Sequence, residues 1–162
     1  MMRSSVIHEG AAMDTRQLRS AFSRFATGVT VVGLEDGEGV HGLTVNAFTS
    51  VSLDPPLLLI SIQKTSRSYE RLQRRPFSVS VLASEHAAAA RSFASRDRVG
   101  APEWDRSGRI PRIAGAIGWF ECEHFAQHDA GDHTIVIGRV SAFGVREGSP
   151  LLFFGGNLTA LG

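Results

Sequence analysis

Beyond Gly28 the chain alternates apolar and polar positions with a period near two, whereas before it the apolar positions recur at helical spacing. Leu18, Ala21, Phe22, Phe25 and Ala26 share one face and predict a helix over Asp14–Ala26. Asp14 stands as its N-cap with Gln17 as capping-box partner, and Gly28 as its stop. Seven β-branched or aromatic runs bounded by turn residues follow: Val29–Leu34, Val40–Phe48, Leu57–Ile62, Phe77–Leu82, Ile117–Ala126, Thr134–Phe143 and Leu151–Phe154. Val51–Leu53 is a candidate eighth strand. The polar link Glu35-Asp36-Gly37-Glu38-Gly39 suits an antiparallel hairpin between the first two runs. Two helices are expected as inserts, Ser66–Arg74 closed by Pro76, and Ser84–Phe93 opened by a Ser84 cap. The stretch from Ala94 to Ile110, rich in Arg, Asp, Gly and Pro, reads as a long loop. Many short strands with few helices predict a mainly β fold, an antiparallel barrel closed or partly closed, with a few flanking helices.

Composition narrows the class without naming a partner. The 162 residues make about one domain. With 43% hydrophobic and 20% charged residues, neither disorder nor a fibrous protein is indicated. A net charge of +1 creates no large field, so neither nucleic acid nor an anionic membrane is an expected partner. Cys122 is the only cysteine, which excludes an internal disulfide and suits a reducing, cytoplasmic setting. Residues 1–13 lack an apolar run of signal-peptide length and read as a loose tail before a domain at 14–162; Met13 is an equally good starting residue. No run approaches the ~20 apolar residues of a membrane span.

Several local patterns invite chemistry and have plainer readings. Gly37-Glu38-Gly39-Val40-His41-Gly42 spells G-x-G-x-x-G, but a strand-like run follows it where a dinucleotide-binding unit needs a helix, so hairpin glycines explain it better. His124 and His128 are four apart, yet on a strand that spacing is about 13 Å, too far to share one ion. No metal site is expected. Lys64, Arg67, Arg71, Arg74 and Arg75 form a basic cluster with Tyr69 as its only aromatic. A solvated helix face with one or two cations near an anionic ligand is the preferred reading.

The stretch from Gly42 to Ser68 carries the most information. Thr44, Asn46, Phe48 and Ser50 alternate along one face of an extended run, a row of hydroxyl and amide groups unusual inside an apolar barrel. Asp54-Pro55-Pro56 then turns the chain into Leu57–Ile62. Lys64, Thr65, Ser66 and Ser68 follow as a basic, hydroxyl-rich opening to a helix, chemistry that suits phosphate. A polar strand edge followed by a Ser/Thr-rich helix cap accounts for the same residues, and spacing leaves both readings open.

These blocks, in order, resemble the short-chain flavin reductases of two-component flavin-dependent monooxygenases, members of the FMN-binding split-barrel superfamily. The resemblance begins at Phe25-Ala26-Thr27-Gly28-Val29-Thr30-Val31-Val32 and is strongest from Gly42 to Pro56. It returns at Phe77–Leu82, Gly131-Asp132-His133 and Pro150–Phe154. It implies an antiparallel split β-barrel, commonly a homodimer. It also implies hydride transfer from NADH or NADPH to FMN or FAD, with reduced flavin released to a separate oxygenase or halogenase. Carried over residue by residue, Thr44, Val45, Asn46, Ala47, Ser50 and Val51 would lie along the flavin. Ser61, Lys64, Thr65, Ser66 and Ser68 would surround its ribityl chain and phosphate, Phe93 its outer part, and His133 would approach the nicotinamide. The family commonly has a C-terminal Tyr or Arg-Tyr where this chain has Gly155-Gly156-Asn157-Leu158. Direct hydride transfer between stacked rings requires orientation and no nucleophile, which fits the lack of a catalytic triad. Two other classes carry the same features, a split-barrel protein that keeps its flavin for another oxidation, and a non-enzymatic flavin- or haem-binding module.

Overall fold

A computed structural model describes residues 13–95 and 102–161. A seven-stranded antiparallel sheet dominates, in the order β3-β2-β6-β9-β10-β5-β4. Its strands are β2 (Thr30–Asp36), β3 (Gly39–Val45), β4 (Phe48–Leu53), β5 (Pro56–Gln63), β6 (Phe77–Val81), β9 (Gly118–Ala130) and β10 (His133–Val145). The short strands β1 (Thr27–Gly28), β11 (Leu151–Phe154) and β12 (Asn157–Ala160) make a second sheet, and β7 (Trp104–Asp105) pairs with β8 (Arg112–Ile113). Three helices accompany them: α1 (Thr15–Phe22), the single turn α2 (Tyr69–Leu72) and α3 (Ala87–Ala94), the last preceded by a 3₁₀ turn at Ser84–His86.

The curvature of the large sheet follows from its connectivity. β3 and β4 are its opposite edges, yet only Asn46 and Ala47 separate them in sequence. Three Cα steps reach about 11 Å at most, so the sheet must roll until its two edges meet at that end. They meet without pairing, which leaves a seam. Bulges at Ile137/Gly138 and Val140/Ala142 bend the long β9–β10 hairpin around the roll.

Period-two alternation sorts the strand residues between two cores. Val32, Leu34, Leu58, Ile60, Ile62, Phe77, Val79, Cys122 and Val136 fill the inside of the roll. Val29, Val31, Leu82, Ala90, Ile113 and Leu151 pack on its outside, between the sheet, α3 and β11. A Cβ on Gly138 would meet the Phe77 ring at 2.6 Å, so the inner face has room there for glycine alone. Ser78 and Ser80 point outward from β6 and are fully buried. Their hydroxyls hold the incoming loop: Ser78 Oγ donates to the Pro111 carbonyl at 2.5 Å, and Ser80 Oγ accepts from the Ile113 N–H at 2.9 Å. Burial, with Glu123 and Glu121 nearby, pushes the Cys122 thiol up to about 12, so it packs as a small apolar group.

Several expectations change. The run Val40–Phe48 is two strands broken at Asn46-Ala47, so Thr44 and Ser50 belong to opposite edges of the sheet and do not line one face. Val51–Leu53 is the end of the full edge strand β4. The first helix stops at Phe22, where the Arg24 and Phe25 N–H groups turn to the carbonyls three residues back, Ala21 and Phe22, both at 3.1 Å, and Thr27-Gly28 then pairs with Phe153 and Leu152. Gly28 is thus a strand residue, while the Asp14 cap stands, accepting from Arg16 N at 2.8 Å and Gln17 N at 3.4 Å. The helix expected over Ser66–Arg74 is one turn long, and Arg74 leaves it with φ at +55°. Ser84 caps nothing; the Ala83 N–H is satisfied by His86 Nδ1 at 3.1 Å. The hairpin at Gly37-Glu38 forms as expected, and β12 was missed. Residues 1–12 of the expected tail, and 96–101 of the expected long loop, lie outside the described residues. No helix among the described residues is long and apolar enough to cross a membrane.

Candidate functional site

A cleft of about 690 Å³ opens at the seam of the rolled sheet. Its floor is the end of β3 (Gly42–Val45) with the Asn46-Ala47 link, and one side is the end of β5 (Ser61–Gln63). The segment Thr65–Ser68 and the last residues of α3 (Ser92–Ala94) with Ser95 form the remaining walls, and His133 stands at the rim. The volume lies within the range of small-molecule and cofactor sites. Ten of the residues singled out from sequence meet here: Thr44, Val45, Asn46, Ala47, Ser61, Thr65, Ser66, Ser68, Phe93 and His133. Ser50, Val51 and Lys64 do not line it. Ser50 and Val51 lie exposed on β4 beyond the link.

The lining has a distinct chemical character. Seven of its residues carry hydroxyls, none is a carboxylate, and Arg67 is the one lysine or arginine among those described. Thr44 Oγ1 donates to the Ala90 carbonyl at 2.7 Å, tying the cleft floor to α3. Ser92 is 3% exposed and its hydroxyl has no hydrogen-bond partner among the described residues, a costly state for a buried polar group. The Phe93 ring lies against Gly42, where an added Cβ would come within 2.5 Å, and its other neighbour is Trp104 at 5.6 Å between ring centroids. The wall made by Phe93 is therefore fixed from both sides. Sequence reasoning missed Gly42, Arg67 and Ser92. Gly42 had been absorbed into the hairpin glycines, and Arg67 into the basic cluster.

His133 opens β10 directly after the Gly131-Asp132 turn, and Gly131 takes φ of +68° there, a conformation glycine adopts without strain. Its Nδ1 lies 2.7 Å from Asp132 Oδ1. That hydrogen bond and the imidazole charge hold the Asp132 carboxyl below the usual carboxylate range. With Nδ1 engaged, Nε2 is the ring nitrogen left for a ligand. The basic cluster is divided. Arg71 bonds Asp36 Oδ2 at 2.6 Å and also pairs with Glu38, on the β2–β3 hairpin. The Glu38 N–H, His41 and Arg71 together keep the Asp36 carboxyl far below its ordinary value. Among the described residues, no group of three or more His, Cys, Asp or Glu is placed to hold a metal ion.

Together these features mark a class of protein: a rolled antiparallel sheet with a carboxylate-free, hydroxyl-rich cleft of cofactor size at its seam, chemistry suited to an anionic ligand. Residues 22–162 match the flavin reductase like domain, and the chain belongs to that family. It is 40% identical over 146 residues to the FMN reductase (NADH) SmoA of Agrobacterium fabrum, covering 88% of this chain and 84% of that protein. A protein of Rhizobium meliloti named "Probable flavin reductase" is 47% identical over 136 residues, 80% of this chain; the chain spans 43% of that longer protein. Among solved structures, the Streptomyces globisporus NADH:FAD oxidoreductase SgcE6, in complex with NAD and FAD fragments, superimposes with a TM-score of 0.82 at 39% identity. That alignment covers 92% of this chain and 93% of the other.

Proposed function

We propose that this protein is an NADH-dependent flavin reductase that reduces FMN or FAD and releases the product to a separate flavin-dependent monooxygenase or halogenase. The observation that carries the reading is the seam cleft, whose lining offers hydroxyls, backbone amides, a flat aromatic wall and no competing carboxylate. The residues fit a flavin. Asn46 and Ala47 link the two edge strands on the cleft floor, with the Ala47 carbonyl bonded to the Ser61 N–H at 3.0 Å, and their backbone N–H groups would meet the charge that develops on the reduced ring. Thr65, Ser66, Ser68 and Arg67 suit the ribityl chain and phosphate, and Phe93 closes the outer side. When the two cofactors are bound, the nicotinamide supplies a hydride to the flavin. The protein's part is to stack the rings and exclude other geometries, and His133 Nε2 orients the nicotinamide from the rim. Related proteins carry names of this kind, among them a flavin-dependent trigonelline monooxygenase reductase component and the flavin reductase component of a tryptophan halogenase. The single buried thiol agrees with a cytoplasmic setting.

Purified protein is expected to oxidise NADH when FMN or FAD is added, and His133→Ala to lower kcat/KM for NADH by tenfold or more while flavin binding, followed by fluorescence quenching, stays near wild type. Absence of any flavin-dependent NADH oxidation would remove the reductase reading in favour of a binding module. Equal losses toward both substrates would instead make His133 a support of the fold.

The reading includes a homodimer. Phe22 and Phe25 are 70% and 76% exposed, and none of the residues of α1 is buried. Leu53, Phe143 and Val145 are more exposed still or comparably so, a quantity of bare apolar surface that a monomer rarely presents. Light scattering is expected to give about 35 kDa, twice the chain mass of 17.5 kDa. A mass of one chain at micromolar concentration would count against it.

A further inference from the structure

Gln63 lines the cleft and has no part in the flavin reading. It closes β5, whose Leu58, Ile60 and Ile62 belong to the inner core, so period-two alternation puts Ser61 and Gln63 on the opposite face. In the register of β5 with β10, Gln63 stands directly across from His133. The Lys64 N–H donates to the Asp132 carbonyl at 3.0 Å, one step outside that pair. Gln63 and His133 are therefore a non-hydrogen-bonded pair, the kind whose Cα atoms approach to about 4.5 Å and whose side chains lie closest. The strand end is pinned twice more: Lys64 Nζ donates to the Gly131 carbonyl at 2.6 Å and pairs with Asp129, and the Gln63 carbonyl accepts from the Ser66 N–H at 2.9 Å. The Gln63 backbone is thus fixed, while its side chain is exposed and makes no hydrogen bond with a described residue.

The two rim side chains differ in what they offer. His133 Nδ1 is bonded to the Asp132 carboxylate, which can only accept, so Nδ1 carries a proton and Nε2 of the neutral ring is an acceptor. The Gln63 amide places N–H donors beside it. A primary carboxamide on a flat ring presents one carbonyl oxygen and one NH2 group side by side, the complement of that pair. We propose that Gln63 is a second nicotinamide-recognising residue, its amide N–H donating to the carboxamide oxygen while His133 Nε2 accepts from the carboxamide NH2. The proposal rests on the reductase reading and deepens it. One contact at the rim leaves the nicotinamide free to turn in its own plane, whereas two contacts to the same carboxamide fix which ring carbon faces the flavin. Position along β5 favours the second ring over the first: Ser61 is bonded to Ala47 at the cleft floor, and Gln63 lies two residues, about 6.6 Å, farther along the strand.

Calorimetric titration of the FMN-loaded protein with NAD+ tests this without turnover. Gln63→Met, which keeps the length of the side chain and loses its amide, is expected to weaken NAD+ by about three- to tenfold, the loss of one neutral hydrogen bond. Affinity for FMN, and for ADP-ribose, which lacks the nicotinamide, should change by less than about twofold. The acetylpyridine analogue of NAD+ keeps the carbonyl oxygen and carries methyl in place of NH2, so it separates the two contacts. Gln63→Met should weaken the analogue as much as NAD+, whereas His133→Ala should weaken NAD+ alone. Loss of FMN affinity in Gln63→Met would move the residue to the flavin, and an ADP-ribose loss equal to that of NAD+ would move it to the other end of the dinucleotide; either overturns the proposal. So would unchanged NAD+ binding, or an NAD+ loss that spares the analogue. A wild-type protein that binds FMN but neither binds NAD+ nor oxidises NADH would sink the reductase reading itself, and the proposal with it.

Discussion

Truncation of Arg112 to alanine is expected to lower the unfolding free energy by about 3–5 kcal/mol, the cost of leaving a buried charge without its partner. Arg112 is 8% exposed, and its guanidinium spends its donors on three groups: Glu121 Oε1 at 3.2 Å, Asp105 Oδ2 at 3.0 Å and Ser107 Oγ at 2.8 Å. It also lies 3.7 Å over the Trp119 ring. Without it, Glu121, 5% exposed, keeps only the Arg109 N–H at 3.1 Å. Paired strands β7 and β8 hang on this cluster, and Ser78 and Ser80 fasten the same segment from β6. At about 2–4 °C per kcal/mol for a domain near this size, the melting temperature should fall by roughly 10 °C. The double replacement Arg112→Met with Glu121→Leu is expected to recover most of that loss, since apolar groups of similar volume need no partner. A urea midpoint for Arg112→Ala that barely differs from wild type would show that the cluster is solvated and that the serines alone hold the loop.

The second large effect falls on the cleft. Gly42→Ala is expected to weaken flavin binding about tenfold or more, because its Cβ would stand 2.5 Å from the Phe93 ring. Trp104 blocks the ring from retreating, so it can yield only toward the ligand. Phe93→Leu in the same chain should recover part of the affinity, the smaller side chain accepting the new methyl. Flavin fluorescence titration measures both, and thermal melting separates a displaced ring from a damaged fold. If Gly42→Ala binds flavin as the wild type does, the ring moves outward and Phe93 is not a fixed wall.

Most of the strands were legible because period-two alternation and turn residues both mark them, as at Leu151–Phe154 and the Gly37-Glu38 hairpin. The break at Asn46-Ala47 was not, since the alternation of Thr44, Asn46, Phe48 and Ser50 passes through it without a glycine or proline. Only the tertiary roll reveals that the chain there leaves one edge of the sheet and joins the other. The first helix was drawn too long for a related reason: Phe25 and Ala26 satisfy helical spacing, but pairing of Thr27 with Phe153 claims the backbone first. β7 and β8 carry two residues each and no period to read. In the site, hydroxyls and the Gly131-Asp132-His133 turn announced themselves by type. Lys64 and Arg67 did not, because two cations three residues apart look equivalent until the β9–β10 turn shows where one of them is bound. Ser92 left a weak trace, a polar residue beside Ala89 and Ala90 on the buried side of α3.

The seam has a consequence for how this chain behaves among its copies. An antiparallel sheet of seven strands ordinarily ends in two rows of unpaired amides and carbonyls, each a template on which another molecule can nucleate. Here the Asn46-Ala47 tether draws those rows toward one another at one end, so the part of each edge near the cleft is screened by the other. The same two residues that floor the pocket therefore shorten the stretch of raw sheet open to fibril-like addition. Farther from the tether the edges run toward Leu53 and the Gly37-Glu38 turn, where Asp36, Glu38 and Asp54 place charge.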